Sequence, residues 1–155
     1  MGGPPAQPDS AARAIAQWLT IKGIAAPELA LENGSGLSRN ERASAATLMA
    51  LLQAAWRSAV MPEFMASLPV VAADGTMRKR LHGEAIAGNA HIKTGLLSDA
   101  RSMAGYVLDR GARRYAVVMI VNHPNAPQAD AAFDALLQWI RARGPARGGP
   151  PEPSR

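Results

Sequence analysis

With 155 residues and 48% hydrophobic side chains, the chain holds enough material for one packed domain or one lobe of a larger one. The absence of cysteine excludes a disulfide framework and thiolate metal sites, and three scattered histidines, His82, His91 and His123, lack ligand spacing, so no metal or cofactor is expected. A net charge of +5 admits an anionic polymer, but 14 Arg against 3 Lys in an Ala-rich chain reads as a compositional habit, and no nucleic-acid partner is expected.

Residues 1–8, Gly- and Pro-rich, read as a disordered leader with neither the basic start nor the apolar run of a signal peptide. No segment approaches the ~20 apolar residues that cross a bilayer. Asp9 and Ser10 offer N-caps to a helix reaching Lys22, with Ile15, Trp18 and Leu19 at helical spacing and Gly23 as its stop. Residues 27–32 suggest a short strand entering the turn Asn33-Gly34-Ser35-Gly36. Ser44 is the expected cap of a second helix, whose stripe Leu48, Leu51, Leu52, Ala55 and Trp56 should be buried. Residues 62–67 read as a short helical turn begun by Pro62, and Asp74-Gly75 turns the chain into the solvated run Arg78-Lys79-Arg80.

Three strands are expected next, over about residues 90–93, 101–108 and 115–121, with Asp109-Arg110-Gly111 as hairpin punctuation. The last, apolar throughout, should be buried on both faces. A final helix over about residues 127–141 places Phe133, Leu136, Leu137 and Ile140 on one side, and residues 143–155 form a disordered Pro/Gly/Arg tail. Residues 9–142 are therefore the folded part, an α+β arrangement in which an antiparallel sheet of about three strands packs with helices.

Chemistry concentrates at Lys93-Thr94-Gly95, which follows the apolar run Ala90-His91-Ile92. Lys93 supplies a fixed positive charge and Thr94 a hydroxyl, and Gly95 lacks the Cβ that keeps another backbone at a distance. Such a strand border suits the carboxylate end of a peptide, which pairs with it by strand addition. His91 should share the face of Lys93, either lining the site or acting as an ordinary strand histidine. Trp18, Trp56 and Trp139 read as core or rim packing, and Glu32, Asp74 and Asp99 as loop carboxylates without visible partners.

Two blocks carry a resemblance to a known family. One is Glu32-Asn33-Gly34-Ser35-Gly36-Leu37-Ser38-Arg39, with the helix beginning Ser44-Ala45-Ala46-Thr47-Leu48. The other is His91-Ile92-Lys93-Thr94-Gly95 followed by Met103-Ala104-Gly105-Tyr106-Val107. Met61-Pro62-Glu63-Phe64, Ser67-Leu68-Pro69 and Asp74-Gly75-Thr76-Met77 add to it. Over residues 9–141 the chain resembles the C-terminal part of the penicillin-binding, serine-type D-alanyl-D-alanine carboxypeptidases and endopeptidases of low molecular mass, class C. The resemblance implies a partial lobe of the transpeptidase/β-lactamase-like fold and a periplasmic or cell-envelope location. Its substrate would be a peptidoglycan stem peptide ending in D-Ala-D-Ala, and β-lactams would acylate the full-length enzyme.

Enzymes of this kind use Ser-x-x-Lys, Ser-x-Asn and Lys-Thr-Gly. By resemblance, Lys93 holds the terminal carboxylate and supports proton transfer, Thr94 hydrogen-bonds the same carboxylate, and the Leu96 backbone N–H forms half of an oxyanion hole. Family members often carry Ser or Thr where this chain has Leu96. No serine here is followed three residues later by lysine, so the nucleophile pair is absent. Ser38-Arg39-Asn40 spells Ser-x-Asn but is expected to serve a turn. The missing portion is expected upstream, Met1 being an internal methionine or a gene break, and the chain alone is expected to be inactive. A non-catalytic remnant that binds peptidoglycan peptides is the alternative.

Overall fold

The computed structural model describes residues 7–144, so most of the leader and tail lie outside the described residues. Two compact units divide the chain between Ala54 and Ala55.

In the first unit, α1 (Pro8–Ile21) begins at the proline, whose fixed φ and missing N–H suit a first turn. Gln7 is therefore the N-cap residue, and Asp9 and Ser10 lie inside the first turn instead of capping it. The helix closes by two backbone bonds, Gly23 N to Thr20 O and Ile24 N to Leu19 O, each 2.9 Å. This is a Schellman closure, with Leu19 and Ile24 both buried beside it. Ile15 and Trp18, expected to pack, are nearly half exposed.

The strand expected over residues 27–32 does not form. A single bridge joins Ala30 to Arg42, with backbone bonds of 3.0 and 2.9 Å. The carboxylates of this stretch serve the turns around it instead. Glu28 Oε1 accepts from the Ser44 N–H at 3.0 Å and the Thr47 hydroxyl at 2.5 Å. Hydrogen bonds from Ser44 and then Thr47 bring its pKa down to about 2. Glu32 accepts from the Ser38 hydroxyl and, at 3.0 Å, from Asn40 Nδ2, so it does have partners. Ser38 Oγ also accepts from the Asn40 N–H at 3.0 Å, the turn duty expected of this pair. α2 (Ala45–Trp56) is capped as expected, Ser44 Oγ accepting from the Thr47 N–H at 3.0 Å. Of its apolar stripe only Leu52 is fully buried.

The second unit holds α3 (Met61–Ala66), a 3-10 turn (Gly75–Met77), strands β1 (Ala90–Leu96), β2 (Ala100–Leu108) and β3 (Arg114–Asn122), a second 3-10 turn (Ala126–Ala129) and α4 (Asp130–Ala142). The strands form an antiparallel sheet in the order β1-β2-β3. Side chains alternate between its faces. One face carries Ala90, Ile92, Met103, Val107 and Val117 into a core completed by Phe133, Leu137 and Ile140 of α4 and by Val71, Met77 and Ile86 of the preceding loops. Leu136, from the same predicted helical face, packs at its margin. The opposite face carries His91, Lys93, Tyr106, Ala104, Ser102, Val118 and Ile120. Tyr106 is buried there with Trp56 tilted against it, ring centroids 5.7 Å apart. β3 is not buried on both faces: only Val117 is fully buried, because β3 borders the sheet and α4 covers one side.

The turn after β2 is fixed by Asp109, whose side chain is fully buried. It accepts from the Arg113 N–H at 2.8 Å, Arg113 Nε at 3.0 Å and the Tyr115 hydroxyl at 3.3 Å. Burial alone would raise this carboxyl, but the Arg113 and Tyr115 contacts hold it below its ordinary value.

Candidate functional site

β1 borders the sheet, and its outer side is covered only along its first half. Val71 N donates to Ala90 O at 3.0 Å and Ile92 N donates to Pro69 O at 2.7 Å. In an antiparallel strand the N–H and C=O of one residue point the same way and alternate along the chain. The backbone groups of Thr94 and Leu96 therefore face outward like those of Ile92, with no strand beside them among the described residues. The Leu96 N–H lies on this open border, and its side chain is 57% exposed.

Lys93-Thr94-Gly95 lies inside β1, not at its end, and pairs with Ala104, Met103 and Ser102. Lys93 is exposed, and its ammonium donates to the Thr94 carbonyl at 2.7 Å, reaching round from its own face to the border. The Thr94 side chain takes the other face. It is only 7% exposed, and its hydroxyl donates to Thr76 Oγ1 at 2.8 Å. Thr76 stands in the 3-10 turn, 18 residues earlier, and is itself exposed. Two polar groups thus converge on Thr94, an ammonium on its carbonyl and a hydroxyl on its side chain. Sequence reasoning did not single out Thr76, and the only signal was its place in Asp74-Gly75-Thr76-Met77.

Gly95 has a second, internal reason to be glycine. A Cβ there would lie 2.4 Å from Ser102 Oγ, which already fills that space from β2. Gly95→Ala is expected to cost about 1–2 kcal/mol, the range for a local overpacking that one side chain can ease. In a Ser102→Ala background the cost should largely vanish, because the remaining Ser102 Cβ is 3.7 Å away. Denaturant unfolding of the four proteins measures this, and equal costs in both backgrounds would refute the contact.

His91 shares the face of Lys93, as expected, and its Nδ1 lies 3.1 Å from the Met65 carbonyl, which ties β1 to α3. Asp74 is not without a partner: Oδ1 accepts from the Val70 N–H at 2.5 Å. Ser98 and Asp99 approach each other at 3.5 Å in the β1–β2 turn. Trp18, Trp56 and Trp139 are 46%, 43% and 59% exposed, which makes them rim residues. Arg143 stacks over Trp139 at 4.6 Å. Among the described residues no group of three His, Asp or Glu side chains could hold a metal ion, and no helix is long and apolar enough to cross a membrane.

Comparisons with known proteins agree with one another. Residues 2–143 match the D-Ala-D-Ala carboxypeptidase 3 (S13) family. Carboxypeptidase DacB of Mycolicibacterium smegmatis is 32% identical over 149 residues, covering 92% of this chain and 32% of the relative. A D-alanyl-D-alanine carboxypeptidase of an Actinomadura species is 31% identical over 128 residues, covering 79% of this chain and 23% of the relative. The chain thus spans a third or less of these relatives. Penicillin-binding protein 4 (dacB) of Haemophilus influenzae superposes with a TM-score of 0.74 at 23% identity, over 86% of this chain and 33% of that one. A structure of the same protein complexed with a β-lactam gives the same score. These superpositions bear out the α+β fold with its three-stranded antiparallel sheet.

Proposed function

Since the chain belongs to the D-Ala-D-Ala carboxypeptidase 3 (S13) family, we propose that it forms the carboxylate-binding part of a serine-type D-Ala-D-Ala carboxypeptidase or endopeptidase acting on peptidoglycan in the cell envelope. The observation that carries this reading is the exposed Lys93 ammonium at the open border of β1, 2.7 Å from the Thr94 carbonyl. A carboxylate arriving there meets a cation with protons to spare and, at Leu96, a backbone donor with no partner strand. In the whole enzyme a serine attacks the carbonyl between the two D-Ala residues, and the Leu96 N–H stabilises the developing oxyanion. Terminal D-Ala leaves, and water releases the acyl group. β-Lactams would acylate the same serine. No Ser-x-x-Lys occurs in these 155 residues, so the proposal places that serine outside them.

Calorimetric titration tests the reading. An N-acyl-L-Lys-D-Ala-D-Ala peptide with a free C-terminus should bind at least tenfold more tightly than its C-terminal amide. Incubation with penicillin should leave the mass of the chain unchanged. Equal affinity for acid and amide would reject the carboxylate site, and a stable penicillin adduct would reveal a nucleophile among these residues. The absent Ser-x-x-Lys also favours a second reading, a non-catalytic binder of the same peptide end. The two part at the gene: an upstream frame encoding Ser-x-x-Lys supports the enzyme, and an unrelated one supports the binder.

A further inference from the structure

We propose that the open border of β3 pairs antiparallel with β3 of a second copy of this chain, about a two-fold axis through Val118, joining the two sheets into one. This goes beyond the carboxylate reading and does not depend on it.

The direction of the backbone groups sets the register. The Asp109 N–H donates to Arg113 O at 2.8 Å and the His123 N–H to Asp99 O at 2.9 Å, just outside the two ends of the β2–β3 pairing. By the alternation of an antiparallel strand, the odd-numbered residues of β3 turn toward β2, and Arg114, Ala116, Val118, Ile120 and Asn122 turn outward. No strand lies beside them among the described residues. Val118 is both the midpoint of Arg114–Asn122 and an outward residue. A second β3 can therefore pair along the whole strand, Val118 with Val118, Ala116 with Ile120 and Arg114 with Asn122, each pair exchanging two backbone bonds.

Side chains and charge favour the same partner. Ala116, Val118 and Ile120 are half-buried on the face away from α4, and the pairing sets apolar against apolar there. On the α4 face it sets Val117 against Met119 and Tyr115 against Val121. The one charged residue of the strand, Arg114, stands at its first position, with its guanidinium over the Trp56 ring at 5.7 Å and donating to Met65 Sδ at 2.6 Å. Antiparallel pairing keeps the two Arg114 residues about 27 Å apart at the usual rise of an extended chain and sets each opposite the uncharged Asn122. A parallel pair would set them side by side. β3 also lacks the devices that keep borders from pairing. Its 9 residues hold no proline, lysine or acid, and its register with β2 runs without a bulge. β1 does carry such devices, the covering segment at Pro69 and Val71 and the Lys93 ammonium on the Thr94 carbonyl. The joined sheet thus keeps β1, with Lys93, at each outer edge.

The test uses the full 155-residue chain, which has no cysteine of its own. Wild type should sediment as a dimer at tens of micromolar. On the axis Val118 meets itself at the Cα separation of a hydrogen-bonded antiparallel pair, about 5.5 Å, which a disulfide spans. Val118→Cys should therefore cross-link to itself under mild oxidation at least tenfold faster than Ala116→Cys or Ile120→Cys, whose like positions lie about 14 Å apart across the axis. A mixture of the Ala116→Cys and Ile120→Cys chains should cross-link where neither does alone. A wild-type chain that stays monomeric at these concentrations would overturn the proposal, and slow amide exchange at Ala116, Val118 and Ile120 in that monomer would give the border to another segment of the same chain. A dimer in which Val118→Cys cross-links no faster than the other two variants would overturn it as well, placing the contact elsewhere.

Discussion

Gly105→Ala is expected to cost about 3 kcal/mol or more, beyond the usual range for overpacking. It should lower the melting temperature of the second unit by about 12–24 °C. The added Cβ would sit 1.9 Å from the His91 carbonyl oxygen and 3.0 Å from Ile92 Cα. Both are backbone atoms of β1, so no side chain can rotate away. Relief requires β1 to separate from β2 at the centre of their pairing, where Gly105 faces Ile92. Ile92 and Val107 are fully buried on either side, so the separation would also open the core. Circular dichroism melts of wild type and variant measure the effect, and a shift of only a few degrees would show that the strands do not approach as described.

The second large effect concerns binding. Lys93→Ala should weaken association with the acid-terminated peptide about 10- to 100-fold, the range for hydrogen bonds to charged groups. The fold should hardly respond, because the Lys93 side chain is exposed, its ammonium bonds only a neighbouring carbonyl among the described residues, and the backbone pairing with Ala104 survives the change. A second consequence comes from the border itself. The ammonium covers the Thr94 carbonyl, and lysine on an open strand border discourages pairing with other chains. Sedimentation of Lys93→Ala should therefore show more concentration-dependent self-association than wild type. Unchanged acid affinity in a folded variant would remove Lys93 from the site.

Features written in short-range patterns were legible in the sequence. Ser44 three residues before Thr47 announced a helix cap, and the bond is there. The hairpin of β2 and β3 followed from apolar runs broken by Asp109-Arg110-Gly111, and the three strands pair in chain order. Lys93-Thr94-Gly95 was visible as a cation, an alcohol and a glycine, but its place inside β1 was not. That depends on Ser102 and Met103 reaching across from β2. The strand expected over residues 27–32 does not form, and its carboxylates serve other elements: Glu32 takes Ser38 and Asn40 of the following turn, and Glu28 takes Thr47 in the first turn of α2, 6–19 residues away. Thr76 was missed for the same reason. Nothing near it in sequence marks it as a partner of Thr94, and only the folded loop brings the two hydroxyls to 2.8 Å.

The partial shielding of β1 limits what can dock there. Segment 69–71 occupies the strand as far as Ile92, so the vacant stretch from Lys93 to Leu96 measures about 10 Å at the usual rise of an extended chain. Only two residues in that interval, Thr94 and Leu96, turn their amides outward, and one carbonyl is already engaged by the lysine. A polypeptide laid along it has room for a few rungs and no continuous ladder. On the proposed reading, recognition there draws chiefly on what terminates a chain, because the border offers too short a run of backbone groups to hold the body of a polymer.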